Sequence, residues 1–159
     1  MTSSNYDKII QLLDNANVQY VVHEHKAIRT VDEVVEKLPH LAPIMVKTIA
    51  FSLKDGRIIL VAIHGKDRID YRKVAKAVGT NRRNVRSMSP EDVFATLGYK
   101  VGSVGPFVVQ ENVSVLIDAH VAQMPTLNCG SGKTTATLEL AFTDLQRVTN
   151  GEVLSLAKE

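Results

Sequence analysis

The chain has 159 residues, 45% hydrophobic and 23% charged, with 19 Lys and Arg against 17 Asp and Glu for a formal charge of +2. This composition excludes disordered and collagen-like classes and fits one globular domain, residues 1–159, large enough to bury a core; at so small a net charge, any polyanion must be met by a local patch. The single cysteine allows neither an internal disulfide nor a multi-thiolate metal site, no apolar run approaches the ~20 residues of a membrane span, and the opening MTSSNYDK has no apolar signal core, so a cytoplasmic protein is expected.

Ser4 or Asn5 can cap a first helix in which Tyr6, Ile9, Ile10 and Leu13 recur at helical spacing. A strand follows from Val18 to His23, and Thr30-Val31-Asp32-Glu33 has the capping-box order that opens a second helix, which must stop near Pro39. Two apolar runs, IMVKTIAFSL and RIILVAIH, flank Asp55-Gly56, a hairpin signal that predicts the centre of the sheet. Asp70 caps YRKVAKAV, which Gly79 ends, and Ser89-Pro90-Glu91 starts EDVFATL, which Gly98 ends. Beyond the glycine-rich GYKVGSVGP come strands near Val113 to Asp118 and Thr135 to Phe142, then a last helix from Thr143. Interleaved strands and helices imply a mixed α/β sheet.

The stretch CGSGKTT, Cys129 to Thr135, ends in the Gly-Lys-Thr of a phosphate-binding loop. Such a loop needs a glycine five residues before Gly132, where Leu127 stands, and a helix after the lysine, where TTATLELAF instead alternates like a strand. The stretch therefore reads as a Gly-Ser turn between two strands, which can still line a pocket. Lys47 is the only charge in PIMVKTIAF; alternation puts it with Met45, Ile49 and Phe51, opposite Val46, Thr48 and Ala50. Lysine is rarely buried unless paired, so this one either guards a sheet edge or faces a wet pocket, where its ammonium can hold a phosphate or carboxylate.

In GYKVGSVGPF, Gly102, Gly105 and Pro106 let the backbone approach a ligand and aim N–H groups at a carbonyl oxygen that gains charge during acyl transfer; an ordinary loop would use the same residues. His23, His25, Asp118 and His120 are the residue types of a nitrogen-and-oxygen metal site, without a recognised metal spacing. Cys129 reads as a buried small hydrophobe rather than a nucleophile. Arg72, Lys73, Lys76, Arg82, Arg83 and Arg86 form a basic run without a carboxylate, suited to a polyanion or to a solvated face. Aromatic residues make up only 5%, with no tryptophan, which argues against a base-stacking platform.

Taken in order, VKTIAF, DRIDYRKVAKAVG, VRSMSPEDVFATLGYKVGSVGPF, VLIDAHV, NCGSGKTTATLEL and FTDL resemble the YbaK/ProX family of aminoacyl-tRNA deacylases, which is related to the editing domain inserted in bacterial prolyl-tRNA synthetases. The likeness runs from about Val18 to the last helix and implies a single-domain α/β fold with a mixed, mostly antiparallel, curved or barrel-like sheet flanked by helices. It implies trans-editing, the hydrolysis of the ester of a mischarged tRNA without metal or other cofactor. Cys-, Ala- or Ser-charged tRNA, and tRNA(Pro) above all, are the expected substrates, and an aminoacyl-tRNA synthetase is left open as a second partner. A non-catalytic tRNA- or synthetase-binding module of the same fold is the alternative, and a metal hydrolase built on the histidines and Asp118 a third reading.

The resemblance places the family's strand lysine at Lys47, its G-x-x-x-P loop at Gly102-Ser103-Val104-Gly105-Pro106 and its glycine turn at Gly130-Ser131. It implies catalytic roles for Lys47 and Gly102, and substrate contacts for Tyr20, Thr48, Ser103, Val104, Gly105, Pro106, Asp118, Gly130 and Ser131. The basic run from Arg72 to Arg86 would bind tRNA. Relatives that remove alanine carry a histidine in the turn near Gly130, whereas no histidine follows His120 here; relatives that remove cysteine carry Ser and Asp where Gly130 and Thr137 stand.

Overall fold

In the computed structural model, which describes residues 4–159, Ser4 is the first helix cap: its hydroxyl accepts the Asp7 N–H at 3.1 Å and opens α1 (Asn5–Asn15). The first three residues of MTSSNYDK lie outside the described residues. Thr30 caps α2 (Val31–Lys37) through the Glu33 N–H, Asp70 caps α3 (Tyr71–Ala77), and Ser89 caps α4 (Pro90–Leu97), whose first turn Pro90 suits. Gly98, at φ 81°, ends α4 in the left-handed region.

The Asp55-Gly56 turn joins β2 (Val46–Leu53) to β3 (Ile58–His64) as an antiparallel hairpin. The hairpin sits inside a five-stranded sheet of order β4 (Val85–Ser87), β2, β3, β5 (Val113–Asp118), β8 (Glu152–Leu154), in which β3–β5 and β5–β8 run parallel. With neighbours on both sides and cover on both faces, β3 is buried at every position, which is why its sequence is a continuous apolar run. A second, antiparallel sheet has the order β1 (Tyr20–Glu24), β7 (Ala136–Ala141), β6 (Thr126–Gly130). The expected curved sheet is thus two hydrogen-bonded sheets, joined by a parallel bridge between Met45 and Asn128.

Period-2 alternation divides β2 between two cores. Val46 and Ala50 face the interior shared with Leu127, Leu138 and Leu140 of the smaller sheet, α1's Ile9 and Leu13, and Leu145 of α5 (Phe142–Thr149). Phe51 and Leu53 face the other way, onto Val74 and Ala75 of α3 and Leu156. No helix among the described residues is long and apolar enough to cross a membrane.

Candidate active site

The loop after α4 and the turn after β6 meet backbone to backbone. A Cβ on Gly130 would strike the Val104 carbonyl, and one on Gly105 would strike the carbonyl of Gly130. The Gly132 N–H donates to the Ser103 carbonyl at 2.9 Å, and Gly132 itself lies against the Asn5–Tyr6 backbone at φ 92°. The glycines of CGSGKTT therefore serve close packing, and the chain beyond them enters strand β7 rather than a helix, so no phosphate cradle forms. Gly102, at φ 87°, closes the other side against the backbone of Ile28 and Arg29.

Between these contacts lies a cleft of about 170 Å³. Lys47 and Thr48 enter it from the start of β2, Gly102 and Val104 from the loop, Gly130 from the end of β6, His25 from just beyond β1 and Thr137 from β7, while Ile28, Val34 and Met45 supply an apolar wall. Lys47 is half-buried and makes no ion pair among the described residues. Burial pulls its pKa below the usual lysine value of 10.5; Asp67 opposes that shift and Arg68 adds to it. Activity that needs this ammonium is therefore expected to fall on the alkaline side before an ordinary lysine would titrate. Lys47→Arg is expected to remove that limb from a background-corrected pH–rate profile, because guanidinium stays charged.

The Thr48 hydroxyl is buried without a partner among the described residues, a free group at the cleft wall. His25 is held more firmly. Its Nδ1 lies 2.8 Å from the Lys26 carbonyl, which can only accept, so in the neutral ring Nδ1 carries the proton and Nε2 accepts from the Thr137 hydroxyl at 2.8 Å. Sequence reasoning considered His25 only as a metal ligand. Period-2 alternation puts it on one face with His23, whose Nε2 lies 2.8 Å from Glu139, but gives no sign of its partner. Cys129 also lines the cleft, where burial pushes its thiol pKa up and keeps it protonated and inert.

Other expected contacts lie elsewhere. Ser103 donates its hydroxyl to the Lys100 carbonyl, Ser131 closes on the Ala136 carbonyl, and Gly105 and Pro106 do not line the cleft. Tyr20 and Asp118 are not brought to the cleft at all. The Tyr20 hydroxyl donates to Asp14 at 2.8 Å, and that bond raises its pKa. Asp118, 3% exposed, accepts the N–H groups of Leu156, Ala157 and His120 and so pins the C-terminal segment.

Of the basic run, Lys73 is tied to the Ala157 carbonyl at 2.9 Å, and Arg82 lies 4.2 Å over the Tyr71 ring while donating to the Val85 carbonyl. Arg72 and Lys76 are exposed on α3, and Arg83 and Arg86 line a hollow with Lys54. Arg86 lies opposite Ser52 at the far end of β2 from Lys47, roughly 17 Å away at the usual strand rise.

The histidines and Asp118 of the metal reading do not converge, since His23 lies on β1 of the smaller sheet with His25 just past its end, while Asp118 ends β5 of the larger sheet with His120 two residues on. Among the described residues a different trio comes together, His64, Asp67 and His120, with ligand atoms within 4.8 Å of one another. Its two rings stack 4.7 Å apart at 18°, so their lone pairs lie in nearly parallel planes, and both nitrogens of His64 already serve backbone groups. That arrangement holds no preformed coordination geometry.

A family model described as "Aminoacyl-tRNA editing domain" matches residues 25–148. The chain is 32% identical over 106 residues to the proline–tRNA ligase of Limosilactobacillus fermentum and 35% over 92 residues to that of Aquifex aeolicus. These stretches cover 64% and 57% of this chain but only 18% and 16% of the ligases. The uncharacterized protein YwhH of Bacillus subtilis is 23% identical over 124 residues, with 78% of this chain and 77% of that protein covered. Among solved structures, hypothetical protein APE2540 superposes with a TM-score of 0.86 at 22% identity, covering 95% of this chain and 99% of its own. A candidate trans-editing enzyme for prolyl tRNA synthetase superposes at 0.80 and 22% identity, with both chains covered in full.

Proposed function

Because this chain belongs to the aminoacyl-tRNA editing domain family, we propose that its cleft hydrolyses the ester joining an amino acid to the wrong tRNA. Cys-, Ala- and Ser-tRNA(Pro) are the favoured substrates, attacked in trans. The observation that carries this reading is the convergence of Lys47, Thr48, Gly102, Val104 and Gly130, from three separate parts of the chain, on one small cleft.

In the proposed reaction the ester carbonyl oxygen points at the loop. The Ser103 N–H is already donated to Lys100 and Pro106 has none, so Gly102 and Val104 supply the donors that meet the developing oxyanion. Lys47 holds the terminal nucleotide or the amino-acid end as a point charge. The Thr137 hydroxyl donates its hydrogen bond to His25 Nε2, which leaves its oxygen lone pairs free to accept a hydrogen bond from a water. The water oxygen bonds to the carbonyl carbon, the ester C–O bond breaks, and the ribose oxygen leaves with a proton; the water's other proton can pass through Thr137 to His25. Thr137→Val is expected to slow single-turnover hydrolysis by about 10²-fold with little change in tRNA affinity.

The unpartnered Thr48 hydroxyl suits a substrate with a polar side chain. Satisfying a buried hydroxyl is worth about 1–3 kcal/mol, so Thr48→Val is expected to cost about tenfold in kcat/KM for seryl-tRNA and little for alanyl-tRNA. The reading is tested by following amino-acid release from mischarged tRNA(Pro) with and without a chelator. Release that persists under the chelator is the expected result; release abolished by it and restored by a divalent ion would overturn the metal-free mechanism in favour of a metal hydrolase.

A further inference from the structure

Two hollows adjoin the cleft around the turn that carries Lys133. The larger, about 680 Å³, lies between the start of α1 and the end of α4 and presents Lys8, Phe94, Lys100 and Lys133; the smaller presents Tyr6, Glu24 and Lys133. Thr134 belongs both to the cleft and to the larger hollow, and His25 both to the cleft and to the smaller one, so the three form one continuous surface.

The larger hollow is lined by three ammonium groups and no carboxylate. None of the three lysines is paired with a carboxylate among the described residues. Lys133 is held in place 4.0 Å over the Tyr6 ring, and Phe94 is 56% exposed although it lies at the groove. Clustered cations beside an uncovered aromatic ring are what an unpaired nucleic-acid strand requires, with phosphates neutralised by lysine and a base stacked on the ring. Glu24 makes the smaller hollow less favourable to phosphate and leaves the larger one as the path.

Resting on the deacylase reading, we propose that this groove binds the single-stranded 3′ end of the tRNA. Its phosphates meet Lys8, Lys100 and Lys133, one unpaired base lies on Phe94, and the terminal ribose enters the cleft past Thr134. The duplex stem then falls to other basic surface, such as Arg83 and Arg86.

The test is fluorescence anisotropy with two labelled RNA hairpins of identical stem, one with a short single-stranded 3′ tail and one blunt. The wild-type protein is expected to bind the tailed hairpin about tenfold more tightly. K8Q/K100Q/K133Q is expected to lose that preference and to lower the log–log salt slope by roughly 2, at about 0.7 per phosphate on a single strand. Phe94→Ala is expected to lose about tenfold on the tailed hairpin alone. The charge-retaining K8R/K100R/K133R should bind as wild type, which separates loss of charge from loss of fold. Equal binding of tailed and blunt hairpins by the wild type, or undiminished tail binding by the Gln variant, would overturn the groove. Tail-dependent binding without hydrolysis of any aminoacyl-tRNA would instead overturn the deacylase reading and leave the groove standing.

Discussion

Lys47→Ala is expected to slow single-turnover deacylation by about 10²–10³-fold, the usual cost of removing one preorganised charge or donor from a reacting centre. The protein should stay folded. Burial opposes the charged form of Lys47, so its folded pKa lies below its unfolded value of 10.5. The sign of the linkage follows: between the lowered folded value and 10.5 the unfolded chain binds more protons, so stability rises with pH through that window, and below it the desolvation penalty is fully present. Removing the ammonium removes the penalty, so the variant's thermal midpoint at neutral pH should equal or exceed that of the wild type, and its pH dependence near 10 should be flatter. A large rate loss in a protein of undiminished stability would place the effect in the site rather than in the fold.

Gly130→Ala is expected to damage fold and activity together. Its Cβ would meet the carbonyl oxygen of Val104, and neither partner is a side chain that can rotate away. Relief requires the strand end and the loop to part, at an expected cost of about 2–3 kcal/mol in stability. The same displacement carries the proposed donors of Gly102 and Val104 away from the carbonyl, and a shift of about 1 Å at a reacting centre costs about 10²-fold. Gly56→Ala is the matched control. Gly56, unlike Gly130, has a positive φ, 94°, and a Cβ there meets nothing within 4 Å, so only backbone strain of about 1–2 kcal/mol is expected, with the rate unchanged. Chemical denaturation together with single-turnover kinetics on the two variants separates these effects.

What the sequence could express was local. Ser4, Thr30, Asp70 and Ser89 each cap a helix within three residues of their own position, and the Asp55-Gly56 turn needs only its flanking apolar runs, so these elements were legible. Strands β4 and β8, three residues each, are too short to show a period. The division into two sheets depends on where Met45 meets Asn128, a pairing no local pattern encodes.

The site divides in the same way. Lys47 stood out as a lone charge in an apolar run. Gly102 and Gly130 stood out as glycines, although the backbone collisions that require them involve Ile28, Arg29 and Val104 and are visible only in three dimensions. His25 was missed as a site residue because its partner, Thr137, is 112 residues away. Asp118, expected at the substrate, is instead consumed by backbone amides at residues 156 and 157, an arrangement that only the folded C-terminal segment reveals.

The most direct test of the central claim is the release of radiolabelled amino acid from Cys-, Ala- and Ser-tRNA(Pro), with Ser- and Thr-charged mismatched tRNAs alongside, each incubated with the wild-type protein. The predicted result is rapid loss of label from at least one of these and stability of correctly charged Pro-tRNA(Pro). Retention of label on every tRNA, while the same tRNAs remain bound, would contradict the account and identify the chain as a binding module.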